Sequence, residues 1–356
     1  MKKPFDVIIV GAGIVGATCF HVLSQAGKRC LLLDEKQLAC GITGASGCIV
    51  RVTHASREAT AAAAEGYRFY QRLSAAAQGR VPFARTGYLH FAEVADLDRM
   101  HGWLAEEGID AELLDGQALA ARFPALPINA ELALLEPGSG YMEARPTLEY
   151  LVRAGTALGG VYQDAVTVHG LRVDGSGNRV AGVETSAGAF EAGHVVLAMG
   201  NGAPDFLARH FGDAFGLWNQ HIQVTRFKGL DALTTAPCFI DDVNDLNGRW
   251  CPLTGGFYVG TPTGLRVPAS QAYAAASPAH AQLTRERGER RFPWLRTATA
   301  EGALCHSDCY SAQPIALLGE QPGLPGGVQV ASGFSGGGFK MAPYAAMRVA
   351  RVITQG

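Results

Sequence analysis

The fold of this chain is decided by the stretch DVIIVGAGIVG at residues 6–16, where a short apolar run leads directly into a glycine-rich turn. A helical stretch follows, and residues 29–34, RCLLLD, form a second apolar run that ends in an acidic residue. This order predicts a buried parallel strand, a tight turn, a helix and a second strand. In such a turn Gly11 permits the sharp bend, Gly13 lets the backbone come close to a ligand, and Gly16 lets the helix lie on the strand.

The strand–turn–helix unit predicts a site for a dinucleotide. The first helical turn, at Ile14 and Val15, offers unpaired N–H groups and the positive end of the helix dipole to a pyrophosphate. Asp34, with Glu35 beside it, ends the second strand, where a carboxylate accepts hydrogen bonds from a ribose hydroxyl. The motif alone is a weak signal because 45 of the 356 residues are glycine. A turn that binds nothing is the alternative, and the unit does not distinguish NAD from FAD.

The bulk composition indicates a globular protein of two closely joined domains. The chain has 356 residues, more than one hydrophobic core usually holds. Hydrophobic residues make up 48% and charged residues 17%, and the formal net charge is −2. That balance gives no electrostatic reason to expect nucleic acid or an anionic membrane surface as a partner. The sequence shows no Cys/His cluster with zinc-ligand spacing, so we expect no metal site.

Cysteine usage and hydropathy lead us to expect a cytoplasmic protein. Several of the eight cysteines fall inside apolar elements, as reduced and buried cysteines do. The few residues before the first strand are too short for a signal peptide. No apolar stretch reaches the roughly 20 residues that a membrane-spanning helix needs.

The rest of the chain alternates helices with strands, which predicts the α/β class. Residues 166–192 are typical of a three-stranded meander, and a buried strand at 194–200 closes it. Helices are predicted at 56–79, 94–107, 116–123, 145–158, 270–276 and 278–292, and from near Pro343 to the end. Further strands are predicted at 87–91, 130–135, 220–227, 238–241, 249–252, 257–260, 302–309, 314–319 and 327–332.

Two further stretches are rich in small residues, which let the backbone approach a flat ligand. Residues 41–51, GITGASGCIVR, follow the second strand and end in an arginine. Residues 333–340, GFSGGGFK, precede the last helix. Together with the opening unit and the strand that ends at Gly200, they give the chain an ordered set of motifs over nearly its full length.

With these motifs in this order, the chain resembles the FAD-dependent D-amino acid oxidase superfamily, on the branch of glycine oxidase and monomeric sarcosine oxidase. The most specific match is at residues 333–340, which look like the sarcosine oxidase signature with a single residue changed. The resemblance implies FAD rather than NAD, because the C-terminal glycine-rich loop of these proteins passes the flavin ring. It also implies that the final helix points its N-terminus at the ring, where a positive dipole end stabilises the anionic reduced flavin.

The implied fold is an FAD-binding Rossmann-like domain interleaved with an antiparallel-sheet substrate domain, the glutathione-reductase-type FAD fold. The FAD-binding domain would comprise residues 1–80, 150–213 and 298–356, and the substrate-binding domain residues 81–149 and 214–297. The residues expected to contact FAD are Gly11, Gly13, Ile14, Val15, Gly16, Asp34, Glu35, Gly41, Thr43, Gly44, Ala45, Ser46, Val166, Ala198, Gly200, Gly333, Phe334, Ser335, Gly336, Gly337, Gly338, Phe339 and Lys340.

Two basic residues carry the implied substrate recognition. Arg51 stands where the sarcosine oxidase relatives place an arginine that binds the substrate carboxylate, and Lys340 matches their carboxylate-binding lysine. A carboxylate between these two cations would form charge-assisted hydrogen bonds. The predicted strand at 302–309 lacks the arginine that D-amino acid and glycine oxidases keep there. The alternatives for each residue are a solvated surface charge or a contact with the flavin phosphates.

The chain departs from the sarcosine oxidase pattern at the positions linked to oxygen. Tyr258 stands where the relatives have an oxygen-activating lysine, and their substrate-contacting histidine falls at or near Pro262. A cation near the flavin favours the formation of superoxide, so the sequence leaves the acceptor open between oxygen and an electron carrier. Lys228 or His221 would be a substitute, or an ordinary surface residue.

Aromatic residues and two cysteines complete the set of candidates. Tyr310 matches an active-site tyrosine of the relatives, and Trp250 and Tyr258 would add aromatic walls suited to a small amine. Such residues lie in the core more often than at a site. The relatives attach FAD through a cysteine in this part of the chain, and Cys305 or Cys309 would serve, with buried inert thiols as the alternative.

The resemblance therefore implies oxidation of the C–N bond of a small amino acid, or of an N-alkyl or cyclic amino acid, to an imine by hydride transfer to flavin N5. The protein would have to bind the carboxylate, keep the amine neutral and align the α-hydrogen, and the sequence singles out no general base. One alternative is a dehydrogenase of a 2-hydroxy or cyclic amino acid that uses an acceptor other than oxygen. Two more are a tailoring enzyme for a carrier-bound amino acid and a non-catalytic flavoprotein subunit with a partner subunit.

Overall fold

The computed structural model describes residues 4–212, 214–229, 236–271 and 275–355. The strand–turn–helix–strand unit predicted at the start of the chain is present in it. The α-helices, in chain order, are α1 (Ile14–Gln25), α2 (Ile42–Ala45), α3 (Arg57–Ala76), α4 (Val94–Glu106), α5 (Gly116–Arg122), α6 (Ala144–Ala157), α7 (Ala203–Phe211), α8 (Pro278–Arg291) and α9 (Gly338–Gln355).

The strands, in chain order, are β1 (Phe5–Val10), β2 (Cys30–Leu33), β3 (Ile49–Val50), β4 (Phe83–Ala84), β5 (Tyr88–Phe91), β6 (Glu112–Asp115), β7 (Leu132–Glu136), β8 (Gly140–Met142), β9 (Val161–Gln163), β10 (Val168–Val173), β11 (Val180–Thr185), β12 (Gly188–Leu197), β13 (Leu217–Lys228), β14 (Cys238–Asp241), β15 (Leu246–Cys251), β16 (Gly256–Gly260), β17 (Thr299–Ser311), β18 (Leu317–Gly319) and β19 (Val328–Ser332).

The first large sheet has a parallel centre in the order β9-β2-β1-β12-β19. All four residues of β2 are buried, as expected for a parallel strand with both faces covered. β18 is added at one edge, antiparallel to β19. The N-terminal part of β12 extends beyond this centre and pairs antiparallel with β11, which in turn pairs with β10.

The second large sheet has the order β17-β13-β16-β15-β14-β5-β7-β6 and is antiparallel except where β14 pairs with β5. A small third sheet joins β3, β8 and β4. Since β3 ends directly before Arg51, this small sheet fixes the start of the segment that carries the arginine. The predicted division at residue 298 groups β17 with the FAD-binding segments, whereas its hydrogen bonds lie in the second sheet. The domain boundaries stay a prediction.

The final helix begins earlier than expected, at Gly338 instead of near Pro343. A proline inside a helix leaves the carbonyl four residues earlier without its usual donor. Here that carbonyl belongs to Phe339, and it accepts a hydrogen bond of 2.7 Å from the Tyr70 hydroxyl of α3. The rings of Tyr70 and Phe339 are stacked with centroids 5.2 Å apart. A side chain 269 positions away therefore supplies the missing bond, which no local pattern could reveal.

Other elements differ from the prediction in extent. β12 is one strand where two were predicted, and β17 extends beyond the predicted 302–309 at both ends. In the predicted helix at 270–276, Ala269–Gln271 forms a 3-10 turn, and residues 272–274 lie outside the described residues. The strands β3, β4, β6, β8 and β9 were not predicted, because strands of two to four residues carry almost no periodicity.

Candidate active site

A long cleft lies at the carboxyl edge of the parallel sheet. Its walls include the ends of β1, β2, β12 and β19 and the loops that follow them, and it encloses about 1370 Å³ of empty space, part of it open to solvent. The opening glycine-rich turn and the C-terminal glycine-rich loop, some 320 residues apart in sequence, line this one cleft. The edge is where open α/β sheets bind their ligands.

The glycine-rich turn is built for close backbone packing. Gly11 has φ +102°, and a Cβ on it would lie 2.3 Å from the carbonyl oxygen of Ala198. Asp34 supports the turn from the next strand, because its Oδ2 accepts a hydrogen bond of 2.6 Å from the backbone N–H of Ala12. Burial raises the pKa of Asp34, and the bond from Ala12 opposes that shift.

The small-residue segment after β2 closes over the start of α1. The Thr43 hydroxyl accepts a hydrogen bond of 3.1 Å from the backbone N–H of Ile14, so it caps the first turn of the helix. A Cβ on Gly13 would lie 3.3 Å from that same hydroxyl oxygen. The gap between the two segments is therefore closed to a larger side chain and leaves the backbone of Gly13 facing the cleft.

The structure divides the predicted cofactor residues into two groups. Those that line the cleft are Gly11, Gly13, Ile14, Val15, Asp34, Glu35, Gly41, Thr43, Ser46, Val166, Ala198, Gly200, Gly333, Phe334, Gly336, Gly338 and Phe339. Those outside its lining are Gly16, Gly44, Ala45, Ser335, Gly337 and Lys340. Two of the latter are packing positions, because a Cβ on Gly16 would lie 1.8 Å from the carbonyl oxygen of Gly11, and one on Gly44 1.9 Å from that of Ala39.

Asp308 of β17 is a cleft residue that the sequence reasoning missed. Its carboxylate accepts hydrogen bonds from the backbone N–H groups of Cys309, at 2.8 Å, and Gly336, at 2.9 Å. It thereby ties the second sheet to the C-terminal glycine-rich loop. Burial raises the pKa of Asp308 to about 6, against the effect of these bonds and of the nearby Lys340.

Arg51 and Lys340 are both buried, with 8% and 7% of their surfaces exposed. Burial lowers the pKa of Lys340 well below its ordinary value, and the positive charge of Arg51 lowers it further, while Asp308 acts in the opposite direction. Within the described part of the chain, the Lys340 ammonium group forms no hydrogen bond or ion pair, and Nη1 of Arg51 is buried without a hydrogen-bond partner. The two basic residues that the sequence proposed for a carboxylate are thus both buried, and they are near enough for the charge of Arg51 to act on Lys340.

Arg51 rests on an aromatic ring that belongs to a hydrogen-bonded chain. Its guanidinium lies 5.2 Å from the centre of the Tyr88 ring. The Tyr88 hydroxyl is 2.6 Å from Nδ1 of His90, and Nε2 of His90 is 2.9 Å from a carboxylate oxygen of Asp242. Tyr88 is fully buried, whereas half of the Asp242 side chain is exposed. This chain fixes the ring under the guanidinium.

The backbone after Arg51 is held by Glu136, which is fully buried at the end of β7. One carboxylate oxygen accepts from the backbone N–H of Val52 at 2.9 Å and from the Ser139 hydroxyl at 2.5 Å. The other accepts from the backbone N–H of Thr53 at 2.7 Å and from the Thr53 hydroxyl. Four donors on one carboxylate make this a strong clamp on the segment that carries Arg51.

The aromatic candidates lie on different faces of the second sheet. Arg249 of β15 pairs with Tyr258 of β16, so both point to the same face. Trp250, the next residue, points to the opposite face and packs in a core with Phe257, so the structure does not bring it to the site. Tyr310 does not line the cleft; its ring lies 6.1 Å from that of Trp218.

Arg249 itself was missed by the sequence reasoning. It is buried, its guanidinium lies 3.9 Å from the centre of the Tyr141 ring, and Nη2 is 3.6 Å from a carboxylate oxygen of Glu143. A Cβ on Gly47 would lie 4.0 Å from its Nε, which places Arg249 beside the small-residue segment that leads to Arg51. No local signal distinguishes such a residue from an exposed arginine.

The two candidate cysteines differ in position. Cys309 lines the cleft, and Cys305 does not. Burial raises the pKa of both thiols, that of Cys309 to about 12. A thiol with so high a pKa is a poor nucleophile, which favours the inert alternative for Cys309. Among the described residues, no group of His, Cys, Asp and Glu could hold a metal ion.

The parallel sheet, the glycine-rich turn and the cleft at the carboxyl edge define a dinucleotide-binding protein. Residues 6–352 match the DAO family, described as FAD dependent oxidoreductase, and the chain belongs to this family. FAD is therefore its cofactor, and the resemblance and fold class stated from the sequence are confirmed.

Three similar proteins show how far the likeness extends. 4-Methylaminobutanoate oxidase (formaldehyde-forming) of Paenarthrobacter nicotinovorans is 27% identical over 98% of this chain, which spans 43% of that protein. Human peroxisomal sarcosine oxidase is 26% identical over 96% of this chain and 90% of its own length. The crystal structure of L-proline dehydrogenase from P. horikoshii has a TM-score of 0.86 and 20% identity, and the match covers 100% of this chain and 94% of that one.

The residues present fit FAD. The cleft is continuous from Asp34 to the loop around Phe339, so one extended ligand can reach both motifs. A Cβ on Gly11 would clash with the carbonyl oxygen of Ala198 at 2.3 Å, and one on Gly13 would lie in tight contact with the Thr43 hydroxyl at 3.3 Å. Contact of each lining residue with FAD stays a prediction. No helix in the described ranges is both long and apolar enough to cross a lipid bilayer.

Proposed function

We propose that this protein oxidises the C–N bond of a small amino acid, or of an N-alkyl or cyclic amino acid, and uses Arg51 and Lys340 to bind its carboxylate. The observation that carries the proposal is the pair of buried cations with no ion-pair partner in the described part of the chain. Two buried like charges are costly unless an anion lies between them. A carboxylate would satisfy the free Nη1 of Arg51 and offset the burial of Lys340.

Both basic residues lie in buried surroundings. The Tyr88 ring lies against one side of the Arg51 guanidinium. Arg249 and Tyr258 are paired between β15 and β16 and therefore share one face of the second sheet. Because Arg51 and Lys340 are both buried, ionic hydrogen bonds from them to a bound carboxylate would be stronger than in water.

The chain's own residues would act by positioning and electrostatics. The two cations orient the substrate through its carboxylate, and their positive charge favours the neutral form of the adjacent amino group. FAD supplies the acceptor for the hydride that leaves the α-carbon. Glu136 and Tyr88 act through Arg51, because they fix its backbone and its guanidinium.

The proposal is tested with purified holoprotein under anaerobic conditions. Panels of amino acids, N-methyl amino acids, cyclic amino acids and 2-hydroxy acids are added, and loss of the flavin absorbance is followed. We expect reduction by members of the amine panels and none by the matching 2-hydroxy acids. Admission of air, and then of an artificial electron carrier, shows which acceptor restores the absorbance.

A second arm tests the carboxylate site with acetate as the probe. Acetate should perturb the flavin absorbance of the wild-type protein, and Arg51→Gln and Lys340→Met should each weaken its affinity about 10- to 100-fold. Arg153→Ala is the control, because Arg153 is exposed on α6. If both variants keep wild-type turnover and acetate affinity, the substrate offers no free carboxylate to this pair, as the carrier-bound alternative requires. If the protein binds flavin but no amine reduces that flavin, the result would favour the alternative that the protein is a non-catalytic flavoprotein subunit.

A further inference from the structure

Asp308 lines the cleft at the junction between the second sheet and the C-terminal glycine-rich loop. Besides the bond from Gly336 to its carboxylate, three hydrogen bonds join this end of β17 to the same loop. The Ser335 N–H donates to the carbonyl of Cys309 at 3.1 Å, and the Ser335 hydroxyl accepts from the Ser311 N–H at 3.2 Å. The Ser311 hydroxyl donates to a loop carbonyl at 2.8 Å. The carboxylate is therefore held in a fixed position at the wall of the cleft.

The wall that contains Asp308 belongs to the flavin half of the cleft. In a strand–turn–helix unit of this kind the ribose of the adenosine half lies at the acidic residue, here Asp34, and the pyrophosphate lies at the start of the helix, here α1. FAD is one extended ligand in one continuous cleft. Its isoalloxazine ring is then expected in the remaining part, between β17 and the loop around Phe334 and Gly338. A carboxylate thus lies at the wall beside the group that is reduced.

Groups of opposite sign meet at this end of the cleft. The helix α9 begins there, at Gly338, and the N-terminal end of a helix carries a partial positive charge. Nζ of Lys340 is also close, because it would lie 3.7 Å from a Cβ on Gly337, the residue after the Gly336 that donates to Asp308. The helix end favours an anionic reduced flavin, whereas an ionised Asp308 disfavours it.

We propose that the Asp308 carboxylate takes up a proton from solvent when the bound FAD is reduced and gives it back when FAD is reoxidised. Reduction by hydride brings two electrons and one proton to the flavin and leaves one negative charge on it. An O–H bond forms on Asp308 from a lone pair of the carboxylate and a solvent proton, so Asp308 itself is neither oxidised nor reduced. The total charge at this end of the cleft then stays constant. The inference rests on FAD as the cofactor and not on the substrate proposed above.

The surroundings of Asp308 suit such an exchange near neutral pH. Burial raises the pKa of Asp308 to about 6, while the bonds from Cys309 and Gly336 and the charge of Lys340 on α9 lower it. Burial, and then the charge of Asp308, raise the pKa of Cys309 and Tyr310 on the same strand to about 12, so both stay protonated. A negative charge on the flavin would raise the pKa of Asp308 further.

Solvent can deliver the proton through the turn that is bonded to Asp308. Ser335 and Gly336 are exposed, and Asp308 itself is only partly buried. The carboxylate therefore exchanges protons without a relay of other side chains.

The first test measures the midpoint potential of FAD in the holoprotein at pH 5 and at pH 8.5. Reduction is electrochemical, with mediator dyes, so no amine substrate is needed. At pH 8.5 Asp308→Asn should favour reduced over oxidised FAD about tenfold more than the wild type does, which is about 30 mV for a two-electron couple. At pH 5, where Asp308 is largely protonated in both redox states, the two proteins should agree within about threefold.

Ser311→Ala is the matched control for the loop. It deletes the hydroxyl that donates to the carbonyl of Gly333 and leaves the charge of Asp308 unchanged. A loosened loop would act alike at both pH values, so Ser311→Ala should differ from wild type by the same amount at pH 5 and at pH 8.5. Only the loss of an ionisable group makes the difference depend on pH.

The second test detects the proton in the wild-type holoprotein. Reduced-minus-oxidised infrared difference spectra are recorded between about pH 6 and pH 8, with and without ¹³C-labelled aspartate. We expect the carbonyl band of a protonated carboxyl to appear on reduction, to move with the label and to be absent from Asp308→Asn.

The inference is wrong if that band does not appear, or if Asp308→Asn shifts the potential equally at both pH values. Because reduction is electrochemical, either result leaves the proposed amine substrate untouched. Conversely, FAD that is reduced at the electrode with proton uptake but by no amine would count against the proposed function alone. The infrared test uses the unmodified chain, so it decides the matter even where Asp308→Asn does not fold.

Discussion

Gly66 of α3 lies directly against the carbonyl oxygen of Lys340, and a Cβ at this glycine would come within 2.0 Å of that oxygen. Four residues later, Tyr70 donates to the carbonyl of Phe339. One face of α3 therefore sets the position of the first turn of α9, which carries Lys340. The proposed carboxylate site depends on this helix–helix contact, although neither Gly66 nor Tyr70 is a candidate ligand.

Gly66→Ala should displace α9 and loosen the site. The added methyl meets backbone rather than a mobile side chain, so we expect a loss of about 1–3 kcal/mol in the free energy of unfolding. Acetate affinity should fall as well, because Lys340 moves with the helix. Urea unfolding and acetate titration measure the two effects.

Gly102→Ala is the matched control for that experiment. Gly102 lies in α4, is exposed, and has open space where a Cβ would be. Alanine there should stabilise the helix by about 0.5–1 kcal/mol without changing acetate affinity. Equal effects of the two substitutions would contradict the proposed contact.

Glu136→Gln should weaken the clamp on the segment after Arg51. Glutamine offers one acceptor oxygen where the carboxylate has two, so donors such as Val52 N–H or Thr53 N–H lose their partner. We expect a loss of about 1–3 kcal/mol in the free energy of unfolding and weaker acetate binding, with FAD affinity nearly unchanged. Glu131→Gln, at an exposed position just before β7, should stay within about 0.5 kcal/mol of wild type. If Glu136→Gln is less stable than wild type but binds acetate equally well, Glu136 contributes to folding and not to the carboxylate site.

Gly13→Ala should affect FAD binding more than folding. The backbone of Gly13 has φ −65°, which alanine adopts readily, so the substitution causes little backbone strain. Its methyl would crowd the Thr43 hydroxyl at 3.3 Å and fill part of the cleft wall. We expect FAD to bind the apoprotein about 10- to 100-fold more weakly, corresponding to about 1–3 kcal/mol. Gly193→Ala, exposed in β12, is the control and should bind FAD like the wild type. Unchanged FAD affinity in Gly13→Ala would remove Gly13 from the cofactor site.

Asp308 should make the stability of the apoprotein depend on pH. The pKa of Asp308 is about 6 in the folded chain, against 3.8 for an ordinary aspartate such as that of the unfolded chain. Between pH 3.8 and pH 6 the folded state therefore holds a proton that the unfolded state has lost. The free energy of unfolding therefore falls as pH rises from about 4 to about 6, by roughly 2–3 kcal/mol from this group, and is flat above.

Asp308→Asn should remove that contribution. Compared with wild type, the variant should change little at pH 4.5, where the protonated carboxyl of folded Asp308 and the amide are both neutral, and should gain stability relative to wild type at pH 7, where the wild type buries a charged carboxylate. Urea unfolding of the apoprotein at both values gives the comparison. Asp98→Asn, exposed on α4, is the control. A difference between Asp308→Asn and wild type that is the same at both pH values would argue against a raised pKa.

The nucleotide half of the fold could be predicted because its signals are local. The turn at Gly11, the helix after it and the acidic residue Asp34 follow one another within thirty residues, and each has a steric or electrostatic reason to be where it is. The start of α9 could not be predicted, since it depends on the hydroxyl of Tyr70 from another helix.

The second sheet shows most clearly which features could not be predicted from the sequence. Arg249 and Trp250 are neighbours, and strand alternation sends them to opposite faces. The sequence suggested Trp250 for the site. In the structure Trp250 points into the core, and its neighbour Arg249 points to the opposite face of the sheet. Only the register with β16 shows that Arg249 shares the face of Tyr258.

The sequence by itself determined the cofactor, the fold class and two separate cations, Arg51 and Lys340. The tertiary structure decided that both of these residues are buried without an ion-pair partner among the described residues, and that Glu136 clamps the segment that carries Arg51. The reason is physical: a glycine turn or a helix start is set by neighbouring backbone, whereas the protonation and hydrogen bonding of a buried group are set by residues that approach it through space.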